Sequence, residues 1–153
     1  AYTLVPGGSF EGSPSWASLG TSVVNGNEPW YVNGAGDTHS LSLPAYSGAT
    51  SSMMCIGLTD PTLRLFASGT GKVNVFVTVR VVLGLLPVTL PVGTIESSGG
   101  WLPTPAYLNL GCVLSLLQLD TSRPFVSFSF VATSGTMMSA AMRIPSQVGW
   151  PEV

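Results

Sequence analysis

The stretch Lys72-Val73-Asn74-Val75-Phe76-Val77-Thr78-Val79-Arg80-Val81 decides the fold class. Val73, Val75, Val77, Val79 and Val81 fall on one side of an extended chain. Lys72, Asn74, Phe76, Thr78 and Arg80 fall on the other. A strict period of two in β-branched residues specifies a strand with one buried and one wetter face. The wider segment 73–92 is apolar enough to invite comparison with a membrane span. Arg80, Gly84, Pro87 and Pro91 interrupt it, and a period of two is wrong for a spanning helix, so no membrane span is expected.

The same period recurs on either side of this stretch. Leu41 and Leu43 alternate with Ser40 and Ser42, and Leu63, Leu65 and Ala67 with Thr62, Arg64 and Phe66. Val126, Phe128 and Phe130 alternate with Ser127 and Ser129, and Met138, Ala140, Met142 and Ile144 with Ser139, Ala141 and Arg143. Turn signals separate these runs: Pro6-Gly7-Gly8, Asn25-Gly26-Asn27, Asn33-Gly34-Ala35-Gly36, Ser68-Gly69-Thr70-Gly71 and Ser97-Ser98-Gly99-Gly100. Short strands at such spacing predict an all-β, antiparallel two-sheet sandwich. One segment has another period. Ala106, Leu110, Val113, Leu114 and Leu117 sit at helical spacing after Pro103 and Pro105, which predicts one short helix over 106–117 at an open end of the sandwich.

At 153 residues the chain reads as a single domain, 1–153, with short apolar arms at about 1–6 and 145–153. Only 8% of residues are charged, against a usual share of about 25%. Hydrophobic residues make up 45%, with a mean hydropathy of +0.44, which excludes a disordered chain. Five basic residues and a net charge of −2 leave little cationic surface, so nucleic acid is not expected as a partner. Scarce charge also leaves a surface that tolerates being covered.

Chemistry-bearing constellations are missing. His39 is the only histidine, and no G-x-S-x-G elbow accompanies it. Ser68-Gly69-Thr70-Gly71-Lys72 lacks the first Gly and the final Ser/Thr of a phosphate loop, and it leads into a strand. The carboxylates Glu11, Glu28, Asp37, Asp60, Glu96, Asp120 and Glu152 are scattered, without the facing pair a glycosidase needs. No enzyme, no catalytic residue and no cofactor are expected. Cys55 and Cys112 do not form a zinc pattern; a bridge between them and two buried free thiols are both open. The aromatics Trp16, Trp30, Tyr31, Tyr46, Trp101, Tyr107 and Trp150 mostly neighbour Gly or Pro. On loops they serve either to plug the sandwich or to stack on sugar rings. Trp30 and Tyr31 stand among Asn25, Asn27, Asn33 and Asp37, which makes that region the candidate binding loop.

The opening Leu4-Val5-Pro6-Gly7-Gly8-Ser9-Phe10-Glu11-Gly12, followed by Trp16, resembles the first strand of secreted jelly-roll domains of the carbohydrate-binding-module type. The segment Asn27-Glu28-Pro29-Trp30-Tyr31-Val32-Asn33-Gly34-Ala35-Gly36-Asp37, with Ser40-Leu41-Ser42-Leu43-Pro44, Ala49-Thr50-Ser51, Met54-Cys55 and Gly57-Leu58, is similar to a family of uncharacterised actinobacterial proteins. The resemblance implies a jelly roll. The broad class often holds a structural Ca²⁺ between the opening Phe-Glu and an acidic pair on the last strand. Glu11 matches the first part and is the one weak metal candidate. The last strand, Met137-Met138-Ser139-Ala140-Ala141-Met142-Arg143-Ile144, has no acidic residue, so calcium is disfavoured.

Two functions are weighed. The leading expectation is a non-catalytic assembly protein on an extracellular or virion surface, a phage decoration or filament subunit. Its partner would be itself or a neighbouring coat or surface protein. Tyr2, Leu4, Val5, Trp150 and Val153 would form assembly arms that add to a neighbour's sheet edge, giving a homo-oligomer. The alternative is a glycan-binding module whose partner is carbohydrate, held by Trp30, Tyr31, Asn27, Asn33 and Asp37. Chelation with EDTA is expected to leave the melting temperature unchanged; a fall of several degrees would mean a bound Ca²⁺ that the acid-free last strand does not predict.

Overall fold

The computed structural model describes residues 2–12, 16–32, 34–55, 63–81, 86–104 and 125–145. Among these residues every regular element is a strand: β1 (Tyr2–Leu4), β2 (Ala17–Leu19), β3 (Ser22–Asn25), β4 (His39–Pro44), β5 (Gly48–Thr50), β6 (Met54–Cys55), β7 (Arg64–Val81), β8 (Leu86–Pro103) and β9 (Phe125–Pro145). All pairings are antiparallel. The expected helix over 106–117, Cys112, Asn33, Trp150 and Val153 lie outside the described residues. No described helix is long and apolar enough to cross a membrane.

The long strand β9 organises the sheet. One of its edges pairs with β7 from Arg64↔Arg143 to Val79↔Val126, and β7 in turn pairs with β8. The other edge receives four short strands in succession. β6 pairs at Val126 and Phe125, β5 at Ser129–Val131, β4 at Thr136–Ser139 and β1 at Arg143–Pro145. β2 adds to β5, and β3 to β4. The result is one curled antiparallel sheet in a jelly-roll arrangement, continuous through the long strands.

The period-two reading holds in detail. Val73, Val75, Val77 and Val79 are at most 1% exposed, whereas Lys72 and Arg80 are exposed and Asn74, Phe76 and Thr78 half-buried. Val126, Phe128, Phe130 and Ala132 present the same buried face from β9. The opening segment closes onto this face. Phe10 meets Trp16 edge-on at 5.3 Å, and Trp16 stacks on Phe130 at 5.9 Å with its Nε1–H donated to the Pro6 carbonyl at 2.8 Å. The Trp indole is thereby buried without stranding its donor.

The sheet turns a corner where the β7–β9 register shifts between Lys72 and Val73, so that Thr133 bulges. Gly71 and Gly135 face each other there with φ of 105° and 67°. A Cβ on Gly71 would collide with the Ser134 carbonyl, and one on Gly135 with that of Thr70. Opposite this point β9 hands over from β4 to β5. The intervening turn is tied on by Tyr46 N–H to the Ala132 carbonyl (2.8 Å) and Ala132 N–H to the Ser47 carbonyl (2.9 Å).

One expectation is corrected here. Tyr2 and Leu4 do not form an arm reaching for a neighbour: they lie in β1, paired with Pro145 and Arg143 of the same chain, and Val5 is fully buried. An apolar first segment finds its cheapest partner in the open end of its own β9, because intramolecular pairing carries no association cost. Replacement Val77→Ala should lower unfolding free energy by about 2 kcal/mol in denaturant titrations. Lys72→Gln, on the solvent face of the same strand, should stay within about 0.5 kcal/mol.

Candidate functional site

The connection between β3 and β4 is a loop over residues 26–38. Asn25 pairs with His39 at its base, and Gly26 N–H donates to the Thr38 carbonyl at 2.6 Å. Within the loop Glu28 is fully buried. Its Oε2 accepts the N–H of Trp30 and its Oε1 the N–H of Val32, both at 2.7 Å. Charge-assisted bonds of this length are among the stronger local restraints a carboxylate makes. Between the two bonded amides sits Tyr31 at φ 49°, a left-handed conformation that costs a bulky residue on the order of 1 kcal/mol. The Glu28 carboxylate holds the backbone on either side of that residue and so sustains the strained turn.

The consequence is presentation. Trp30 and Tyr31 are 53% and 52% exposed. Trp30 is backed by Phe66 of β7, with ring centroids 5.4 Å apart and tilted by 31°. Tyr31 joins Asn25, Gly26, Asn27, Asp37 and Thr38 around a cleft of about 300 Å³. Asn27 Nδ2 donates across it to the Asp37 carbonyl at 3.3 Å. The structure thus places Tyr31, Asn27 and Asp37 of the expected binding loop around one cleft, whereas Trp30 does not line it and packs on Phe66 instead.

A second carboxylate braces the far wall. Glu11 Oε1 accepts the N–H groups of Thr38 (2.5 Å) and His39 (2.6 Å), and Oε2 accepts His39 Nδ1–H at 2.8 Å. Burial opposes ionisation of Glu11. The ring of His39 and the two backbone donors outweigh it and hold the carboxyl below its ordinary value of 4.5. Both oxygens face N–H donors, and among the described residues no three His, Cys, Asp or Glu side chains come together. Glu11 is therefore poorly disposed to ligate a cation; it pins the loop. The same contact commits the His39 ring to Glu11.

Sequence reasoning missed Glu28. Its signal is the run Glu28-Pro29-Trp30-Tyr31, a carboxylate two residues before a free N–H with a proline between to turn the chain. Two other features are less apt for recognition. Tyr46, 87% exposed with φ 66°, stands in the β4–β5 turn. A larger cavity of about 550 Å³ lies against β8 between Ile95 and Thr104. Among the described residues no aromatic ring lines it, and their one charged group, Glu96, pairs with Lys72 at 3.2 Å.

No protein-family model and no curated protein sequence matches this chain. Its fold does match solved structures. The family 11 carbohydrate-binding module of a cellulosomal cellulase of Clostridium thermocellum is similar with a TM-score of 0.56 at 11% identity, over 96% of this chain and 95% of that one. A family 29 carbohydrate-binding module gives 0.52 at 15% identity, over 94% and 87%. A Clostridium thermocellum endo-1,4-β-D-xylanase, comprising a family 22 binding module and a GH10 module in complex with xylohexaose, gives 0.52 at 14% identity. That match spans 96% of this chain and 28% of the xylanase chain. The jelly roll of the carbohydrate-binding-module type is thus the fold of this chain. The narrower likeness to an actinobacterial family is not supported. The expectation of a virion or filament subunit is overturned, since the similar folds are those of carbohydrate-binding modules and the first strand closes its own sheet.

Replacing Glu28 by Gln puts an NH₂ donor against one of two N–H donors. The expected loss is about 2 kcal/mol of stability, with faster hydrogen exchange at Trp30 and Val32. Because the folded pKa of Glu11 is lowered, its contribution is complete above about pH 4.5 and is lost as pH falls through the lower folded value. A Glu11→Gln variant should melt a few degrees lower than the parent at pH 7 and converge on it in acid, as followed by thermal scans.

Proposed function

We propose that this chain is a non-catalytic carbohydrate-binding module that acts outside the cell. The observation carrying this reading is the 26–38 loop: Tyr31 lines a cleft of amide, hydroxyl and carboxylate groups, Trp30 stands half-exposed next to it in sequence, and a buried carboxylate holds the backbone of this turn. An aromatic face covers the apolar C–H side of a sugar ring. Amides offer both a donor and an acceptor to its hydroxyls. Rigid presentation lowers the ordering cost of binding. The fold shared with carbohydrate-binding modules supports the same reading, as does a surface poor in charge.

The solvent side of the sheet is consistent with a polar exterior built with few ions. Thr50 and Ser129 hydroxyls pair at 3.0 Å, Thr78 and Thr89 at 2.7 Å, and Thr94 donates to Asn74 at 2.9 Å. Each pair spans neighbouring strands and satisfies groups that would otherwise call for charge or water.

Affinity electrophoresis through gels loaded with neutral polysaccharides tests the proposal. The parent protein should be retarded by at least one of them, and Trp30→Ala should bind about tenfold more weakly, or about 1.4 kcal/mol, while remaining folded with a melting temperature lowered by only a few degrees through the lost contact with Phe66. A parent protein that no neutral or acidic polysaccharide retards would overturn it.

A further inference from the structure

Resting on that reading, we infer that the cleft between Tyr31 and the base of the 26–38 loop is a subsite for one uncharged sugar residue. Its size comes first. About 300 Å³ lies at the lower bound of small-molecule sites, roughly 300–1,000 Å³, which suits a single ring better than an extended oligosaccharide.

Its chemistry comes second. Asn25, Asn27, Tyr31, Asp37 and Thr38 supply amide, phenol, carboxylate and hydroxyl groups, and no Lys or Arg among the described residues lines the cleft. Vicinal hydroxyls both donate and accept, which matches two amides and a threonine hydroxyl. A uronate or sulfated sugar would meet Asp37, with Glu11 behind Thr38 and no cation among the described lining residues to pair with it.

Its rigidity comes third. The two walls are held by carboxylates that do not line the cleft. Glu28 fixes the amides flanking Tyr31, and Glu11 fixes those of Thr38 and His39. Asn27 is braced across the gap by the Asp37 carbonyl. These restraints are made without ligand, so little ordering is left for binding to accomplish.

Calorimetric titration of the full chain with neutral pyranosides, the matching uronic acids and a neutral tetrasaccharide distinguishes the outcomes. A neutral monosaccharide should bind with Kd on the order of 1 mM, at least tenfold tighter than its uronate, and lengthening it to the tetrasaccharide should tighten binding less than tenfold. Asn27→Ala and Tyr31→Ala should each weaken it about tenfold. Asn27→Ala is the safer variant, because it leaves the Glu28 brace intact. Uronates bound as tightly as neutral sugars, or both variants binding like the parent, would overturn the subsite. If Trp30→Ala still abolishes polysaccharide retardation in that case, carbohydrate binding stands and only the subsite falls. If no saccharide binds the parent protein at all, both fall.

Discussion

The structure depends on keeping one strand continuous around a corner. β9 is the shared neighbour of β7 on one edge and of β6, β5, β4 and β1 on the other. Its buried face must stay buried along the whole path, yet a flat ladder of that length could not enclose a core. The conflict is resolved at Gly71 and Gly135, where two backbones approach too closely for any Cβ and one residue, Thr133, bulges out. Because the extra residue falls at the bend, Val73–Val79 on β7 and Val126–Ala132 on β9 keep the same inward face beyond it. β1, β4, β5 and β6 dock directly against this bent template, with β2 and β3 added outside β5 and β4, and the Phe10–Trp16–Phe130 cluster packs inside it.

Two carboxylates do for the loops what backbone ladders do for the sheet. Glu28 and Glu11 each accept two main-chain N–H groups, Glu28 within the 26–38 loop and Glu11 where that loop enters β4. In a chain with only seven acidic residues, two are spent on loop geometry. They differ in surroundings. Glu28 is fully buried and serves its own loop, whereas Glu11 is partly exposed and ties the opening segment to the start of β4 across 27 residues of sequence. The 26–38 loop is therefore tied to the N-terminal segment through the hydrogen bonds of Glu11 to Thr38 and His39, while the posture of Tyr31 is set locally.

Low charge had suggested a surface meant to be covered. The structure supplies a different reason for the composition. Ser and Thr lie on the outer face of the sheet in cross-strand pairs that satisfy one another. A first segment that looked like an arm is the strand closing the end of β9. Composition reports how much polar surface a chain has, but not whether its groups are paired within the chain.

Period-two alternation in Lys72–Val81 and Val126–Phe130 determined the strands and which of their faces is buried, because side-chain direction in an extended chain follows from residue parity alone. The proximity of Tyr31 to Asn27 and Asp37 was likewise legible, since all lie within one short loop, whereas the packing of Trp30 on Phe66 was not. Glu11 was visible as a weak candidate ligand, but its contacts to Thr38 and His39 were not: they join positions 27 and 28 residues away, and no local pattern encodes that distance. Glu28 went unread because an isolated Glu in sequence looks solvated, and only the closed loop buries it. The curl of the sheet, the docking of β1 and the cleft were decided by tertiary structure, because each depends on two segments approaching in space, and periodicity specifies a strand's faces without specifying what its edges will meet.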